Sequence, residues 1–278
     1  MAGGDLRKQG SRGSAPEGLF AAGVAITRPR HDAQASDYTF REAKRAAVRV
    51  AELTISVSLC LMDKRTISRI WFGLTAAVVF VGLVIQVAVT AGVTGGHFDS
   101  VAGRIFNLFC FFTVQSNVIV GVTSALLAAN PDRPSTVFRV FRLAGLVGIA
   151  VTGVVFHIVL AGLQELQGYA AFADFMLHTA SPVLCVAGWM VFGPRVASGP
   201  RVVVLALLYP LAWLLFTLVR GPIVDFYPYP FLDVRVLGYP VVLLNCVFVG
   251  VLFAALAAAA TALDRALARR GAGLTGTP

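Results

Sequence analysis

Residues 69–93 read RIWFGLTAAVVFVGLVIQVAVTAGV, and only the first of them, Arg69, is charged. A helix of this length is about 37 Å long at 1.5 Å per residue, which exceeds the ~30 Å hydrocarbon core of a bilayer. Backbone amides in lipid must be hydrogen-bonded within their own segment unless a closed barrel pairs them. The segment therefore predicts a transmembrane helix.

Five more apolar blocks follow along the chain, at 105–129, 142–163, 172–192, 202–220 and 238–263. The whole sequence is 57% hydrophobic and 13% charged, whereas soluble domains average about 45–50% apolar and 25% charged residues. No block shows the alternation of a membrane β-barrel strand. The sequence predicts an all-α integral membrane protein with six transmembrane helices.

The loops between these blocks alternate between basic and neutral or acidic composition. Four segments are basic: the stretch before the first block (Lys64, Arg65, Arg69), the second loop (Arg133, Arg139, Arg142), the fourth loop (Arg195, Arg201) and the tail (Arg265, Arg269, Arg270). By the positive-inside rule, both termini are predicted to be cytoplasmic. Bilayer topology then explains the net charge of +9, and we expect no nucleic-acid partner.

Residues 1–65 differ in composition from the rest, being rich in Gly, Ser, Pro and mixed charge. We expect disorder over about 1–36 and a basic amphipathic helix on the membrane surface within 38–62. An alternative is that the native protein starts near Met62 and that the upstream part is a gene-model artefact. The predicted organisation is an extension at 1–65, a transmembrane domain at 66–263 and a short basic cytoplasmic tail at 264–278.

Four polar residues on four different helices are predicted to lie in one layer of the outer leaflet. Counting from the outer helix ends places Thr113, His157, His178 and Asn245 about 9–12 Å deep. Thr and Asn often only join helices, but ionisable residues inside a bilayer are rare and costly, so the two histidines indicate a polar site. Arg220, at the outer end of its helix, is expected to reach the interface.

Helical periodicity sorts the polar residues of the second block into two faces. Thr113, Ser116 and Asn117 share one face, which continues through the small residues Gly121 and Ala125 and is predicted to pack against other helices. Gln115 points the other way. On the fourth block, Asp174, His178 and Ser181 share a face, and Pro182 leaves the carbonyl of His178 without its helical donor.

The fifth loop is rich in proline and aromatic residues. Four prolines, Pro222, Pro228, Pro230 and Pro240, are expected to prevent a regular helix. Its aromatic residues suit a membrane–water interface. Two interpretations stay open: an aromatic belt, or a lid that closes the outer-leaflet site.

Three short motifs occur at FFTVQSN (111–117), DFMLHTASPVL (174–184) and YPYPFLDV (227–234). Together they resemble the bacterial six-helix membrane proteins called the Pr-six-Pr family, which are related to the androgen-induced integral membrane hydrolases. The resemblance covers about 69–263. It implies a Thr/His-dependent hydrolase of fatty-acid esters, in which Thr113 and His178 are the catalytic residues.

The chemistry that the resemblance implies is consistent with these residue types. A threonine hydroxyl needs a base within hydrogen-bond reach, histidine is suited to that role, and a third group must orient the histidine. Asp174, Asn245 or Asn117 can orient it, and Asn117 or Ser116 can donate to the oxyanion. We expect membrane lipids and a lipid-like substrate as partners, and no cofactor or metal.

Two other functions stay open at this level. A small-molecule transporter would line a path to both sides of the membrane, whereas the predicted polar layer is one-sided and no inverted repeat is evident. A non-catalytic lipid-binding or scaffold protein would use the same polar residues only for stability.

Overall fold

The structure, a computed structural model, describes residues 41–52, 63–133, 135–194 and 199–274, with side chains as far as residue 267. Every regular element within these ranges is helical. The chain divides into two compact units, Met1–Leu61 and Met62–Pro278. In the first unit, residues 41–52 form an exposed helix, α1. The disorder predicted for 1–36 lies outside the described residues.

The second unit contains the six predicted spans. Its helices are α2 (Lys64–Gly92), α3 (Val101–Phe109), α4 (Phe112–Ala129), α5 (Thr136–Val155), α6 (Gly168–Phe175), α7 (Ser181–Phe192), α8 (Pro200–Val224) and α9 (Val234–Leu274). A π-helical turn, Phe156–Leu160, extends α5, and a second, Met176–Ala180, joins α6 to α7. Within the described residues, six helices are long and apolar enough to cross a membrane, which confirms the predicted all-helical architecture with six candidate spans. The cytoplasmic position of both termini stays a prediction.

The second predicted span begins later than the sequence pattern indicates. The apolar block starts at 105, but the chain breaks after α3, and Phe111 adopts an extended conformation (φ −71°, ψ 135°) before α4 begins. Thr113 is therefore the second residue of α4, whereas the predicted helix 105–129 places it about one-third of the way along its length. This break places the amino end of α4 inside the bundle.

Helix α4 packs between α2 and α5 through small residues. A Cβ atom added at Gly121 would lie 3.0 Å from Val79, and one added at Gly148 would lie 2.9 Å from the Ser116 hydroxyl. Thr113, Ser116 and Asn117 are buried with Gly121, while Gln115 bonds to the carbonyl of Phe109. The prediction that this face extends to Ala125 is wrong, because Ala125 is exposed.

One arginine counted as a loop charge belongs to the core. Arg142 lies within α5 and is fully buried. Its guanidinium lies 5.3 Å from the centre of the Phe72 ring and 3.5 Å from the Cys185 sulfur. A cation over an aromatic face gains electrostatic stabilisation that increases as water is excluded. Only Arg133 and Arg139 remain as basic residues near that loop.

The proline-rich loop contains more helix than predicted and is held by one arginine. Pro222 lies inside α8, so the connection between α8 and α9 comprises residues 225–233. Helix α9 is then broken at Gly238 (φ 71°, ψ 158°), two residues before Pro240, where the sequence predicts no regular helix. Arg235 pairs with the carboxylates of Asp225 at 2.9 Å and Asp233 at 2.6 Å. The hydrogen bond from Arg235 lowers the pKa of Asp233. At Gly221, an added Cβ would overlap the Tyr227 ring, so this glycine lets the loop fold back on α8.

Candidate functional site

A cavity of about 1000 Å³ lies at the end of the bundle where the connections α2–α3, α5–α6 and α8–α9 meet. Apolar and polar side chains both line it. The polar ones are Gln86, Thr90, His97, Arg104, Asn107, Thr113, Gln164, Asp174, His178 and Tyr229. The two predicted catalytic residues and the predicted orienting carboxylate therefore share one cavity, which we call the polar cavity.

In the wall of this cavity, His178 pairs with Asp174. Its Nδ1 lies 2.9 Å from Oδ1 of Asp174, and both side chains are about a quarter or less exposed, at 20% and 25%. The imidazole ring stacks on Phe156, with ring centres 4.2 Å apart. When a neutral imidazole donates its Nδ1–H to a carboxylate, Nε2 is the nitrogen with the lone pair that can accept a proton. The pair is thus arranged as an oriented base.

The turn that carries His178 is π-helical for a reason visible in the sequence. Pro182 has no backbone N–H, so it cannot donate to the carbonyl of His178 four residues earlier. The helix accommodates this by the wider turn Met176–Ala180, in which the amide of Ser181 bonds to the carbonyl of Met176. Single π-helical turns inside α-helices are frequent at functional sites.

Thr113 occupies the amino end of α4, where the backbone amides precede the helical hydrogen-bond ladder. The first α4 bond runs from the amide of Gln115 to the carbonyl of Phe111. The amide of Thr113 instead donates to the phenol oxygen of Tyr229 at 3.1 Å, and the Thr113 Oγ1 lies 3.2 Å from the same oxygen. Burial raises the pKa of the Tyr229 phenol, so it remains a neutral O–H group.

Asn117 joins the helix of Thr113 to the turn of His178. Its side-chain amide donates to the carbonyl of Thr113 at 2.9 Å and to that of Leu177 at 3.1 Å. Asn117 is fully buried, so these bonds form away from water, where losing either partner is costly. The residue therefore fixes the two segments of the site relative to each other.

The other sequence-predicted residues do not line the polar cavity themselves. Ser116 contacts the Tyr209 phenol at 3.4 Å, and Asn245 donates to the carbonyl of Phe231 at 2.9 Å. His157 bonds to the carbonyl of Gly153 at 2.8 Å and lies 3.3 Å from the Thr179 hydroxyl. Arg220 donates to Asn107 at 3.0 Å. These contacts join elements of the bundle.

A second cavity, of about 220 Å³, adjoins the first. Helices α5, α8 and α9 form most of its wall, and the lining side chains are almost all apolar. Thr113, Leu160 and Tyr229 line both cavities. Thr113 therefore stands at the boundary between a polar and an apolar space, and we call the smaller space the apolar cavity.

Within the described residues, no hydrogen bond joins Thr113 to His178: the threonine hydroxyl contacts Tyr229, and the imidazole contacts Asp174. Nor does this part of the chain contain a group of three or more His, Cys, Asp or Glu placed to hold a metal ion. Three cysteines, Cys110, Cys185 and Cys246, are free thiols.

Sequence reasoning missed most of the polar residues that line the polar cavity, among them Tyr229, Asn107 and His97. Tyr229 belongs to the YPYPFLDV motif, but the loop composition indicates only an aromatic belt or a lid and gives this residue no role at Thr113. Asn107 and His97 also line the polar cavity, and His97 lies 2.6 Å from the carbonyl of Val224. The motif was the available signal for Tyr229, whereas His97 and Asn107 carry no local pattern.

Comparison with protein-family models, curated proteins and solved structures finds no match to this chain. The resemblance of the three motifs therefore stays a prediction, and the chemistry of the site carries the functional argument.

Proposed function

We propose that this protein is a lipid ester hydrolase of a bacterial plasma membrane, with Thr113 as nucleophile and His178 as base. One observation carries the proposal: Thr113 lies where the polar cavity, which contains the His178–Asp174 pair, meets the apolar cavity. An ester of a fatty acid has the same two-part character, with a polar carbonyl attached to an apolar chain.

The reaction follows the usual order of acyl transfer. The Thr113 oxygen attacks the ester carbonyl while His178 accepts the hydroxyl proton, and the protonated imidazole returns that proton to the departing alcohol. Water then gives a proton to the same histidine and attacks the acyl-threonine carbonyl. As the bond from that carbonyl to the Thr113 oxygen breaks, the imidazolium returns the proton to Thr113 and the fatty acid is released. Asp174 stabilises the imidazolium that forms in both halves.

The amino end of α4 supplies the electrostatic component. Helix amino termini carry a partial positive charge, and the Tyr229 O–H is a further donor beside the attacking oxygen. Donors already in place where negative charge develops account for much of the acceleration in acyl transfer. Without substrate, the Tyr229 hydroxyl contacts Thr113. When the ester binds, its carbonyl oxygen accepts the hydrogen bond from this hydroxyl instead. Hydrogen bonds between catalytic groups are often long or absent before substrate binds.

A hydroxyl-directed fluorophosphonate probe tests the nucleophile directly. We expect the purified protein to be labelled on the peptide containing Thr113, because the His178–Asp174 pair activates that hydroxyl. Mass spectrometry of the labelled peptide and in-gel fluorescence of the Thr113→Ala variant are the two measurements. Labelling that persists unchanged in Thr113→Ala would contradict the assignment.

Thr123→Ala is the matched control for this experiment. Thr123 is also a buried threonine of α4, but it lines neither of the two cavities. Its variant is expected to be labelled like the unsubstituted protein. Equal loss of labelling in both variants would indicate a general effect on folding.

A non-catalytic lipid-binding protein is the second candidate. The observation in its favour is that the Thr113 hydroxyl bonds to Tyr229 at 3.2 Å, while His178 bonds to Asp174. In such a protein Thr113 would serve helix packing alone. The probe experiment separates the candidates, since a purely structural threonine has no activated hydroxyl.

The loop charges support an orientation with both termini in the cytoplasm and the polar cavity in the outer half of the membrane. Cysteines introduced singly at Asp99 in the α2–α3 loop and at Asp132 in the α4–α5 loop, which are both exposed, report it. In intact cells, an impermeant maleimide is expected to label Asp99→Cys and not Asp132→Cys, with the unsubstituted protein as background. The reverse pattern would overturn the orientation.

A further inference from the structure

The wall of the apolar cavity includes residues that lie on the outer surface of the bundle. Leu211 of α8 and Gly250 of α9 both line it, and both are exposed. A lining residue that is also exposed on the outer face of a membrane span marks a passage from the cavity to the bilayer.

The cavity has the dimensions of a hydrocarbon site. It follows one face of α9 from Cys246 to Ala254, a length of about 12 Å at 1.5 Å per residue. Its volume of about 220 Å³ exceeds the roughly 150 Å³ at which an apolar cavity stays dry and binds benzene. Its walls offer no charged partner to a ligand: they provide the hydroxyls of Thr113, Thr152 and Tyr229, one thiol, and the Trp213 indole N–H, which is already bonded to the Cys110 carbonyl.

We infer that the apolar cavity is a binding site for one acyl chain, which slides in from the bilayer between α8 and α9 with its carboxyl end at Thr113. The inference rests on the proposed function, because the position of the reacting ester sets which end of the chain faces Thr113. Gly250 is the residue that keeps the passage open.

A substitution at Gly250 can block the passage without disturbing the packing of α9. A Cβ atom added there meets no atom within 4 Å, so a large side chain enters open space and does not strain the helix. Gly250→Phe places a ring in the passage and in the cavity. Val251→Phe is the control, because Val251 is the adjacent residue, is 62% exposed and does not line the cavity.

The experiment uses the full chain in lipid nanodiscs and a hexadecanoic acid that carries a diazirine in its chain. After illumination, mass spectrometry gives the ratio of labelling on the lining residues Val249 and Phe253 to that on the exposed residue Phe248. The Phe ring occupies space that the chain fills, and an excluded chain returns to bilayer hydrocarbon that is as apolar as the cavity. We expect Gly250→Phe to lower the ratio several-fold, and Val251→Phe to leave it unchanged.

Two results would overturn the inference: labelling confined to exposed residues in the unsubstituted protein, or an unchanged ratio in Gly250→Phe. The probe is a free fatty acid and undergoes no hydrolysis, so the measurement does not depend on catalysis. If the diazirine probe labels the cavity residues but Thr113 does not react with the fluorophosphonate, the hydrolase function is contradicted and the acyl-chain site is still supported. Reactive Thr113 together with a labelling ratio that is unchanged in Gly250→Phe would support the hydrolase and contradict the chain site.

Discussion

Replacing His178 with alanine is expected to lower the rate of lipid ester hydrolysis by about 10²- to 10⁴-fold, the usual contribution of a general base. The imidazole is the proton acceptor in the wall of the polar cavity, and Asp174 holds its Nδ1 at 2.9 Å. Without it, the Thr113 hydroxyl has no base. The measurement is release of fatty acid from a long-chain ester by the purified variant in detergent or nanodiscs.

His157→Ala is the matched control for this variant. His157 also lies in a π-helical turn, and its ring also bonds to the carbonyl four residues earlier. It does not line the polar cavity. We expect its variant to retain most of the activity, so equal losses in the two variants, or full activity in His178→Ala, would contradict the role of His178.

The number and type of helices could be predicted from the sequence because apolar length is a local property. The break before α4 could not. No proline or glycine marks it within residues 105–120, and its backbone groups find distant partners instead. The Cys110 carbonyl accepts from the Trp213 indole at 2.9 Å, and the Thr113 amide donates to Tyr229. Long-range bonds thus override a local helical preference.

The candidate site divides in the same way. The pairing of Asp174 with His178 could be predicted from their spacing, because residues four apart on a helix are neighbours. The contact of Thr113 with Tyr229 could not, since it joins α4 to a loop 116 residues further along the chain. Arg142 was misplaced for a related reason: an arginine near a helix start is usually exposed, and only packing against Phe72 and Cys185 buries this one.

Tyr229→Phe is expected to lower the hydrolysis rate about 10²- to 10³-fold, the usual cost of losing one oxyanion donor. The change removes only the phenol oxygen, and the ring keeps its contacts with Phe111, Trp213 and Phe231. Because the donor acts on charge that develops in the transition state, the loss should fall on kcat and leave KM nearly unchanged. Steady-state kinetics on the same ester measure the two separately.

Tyr227→Phe is the control, since Tyr227 is buried two residues away and its hydroxyl has no hydrogen-bond partner within the described residues. Its variant should retain full activity. Tyr229→Phe also leaves the buried Thr113 amide without its partner, which costs about 1–3 kcal/mol of stability. Thermal unfolding therefore accompanies the kinetics. A variant that loses stability but keeps its kcat would show that Tyr229 only anchors α4, whereas a kcat loss in a folded variant requires the O–H group in the reaction.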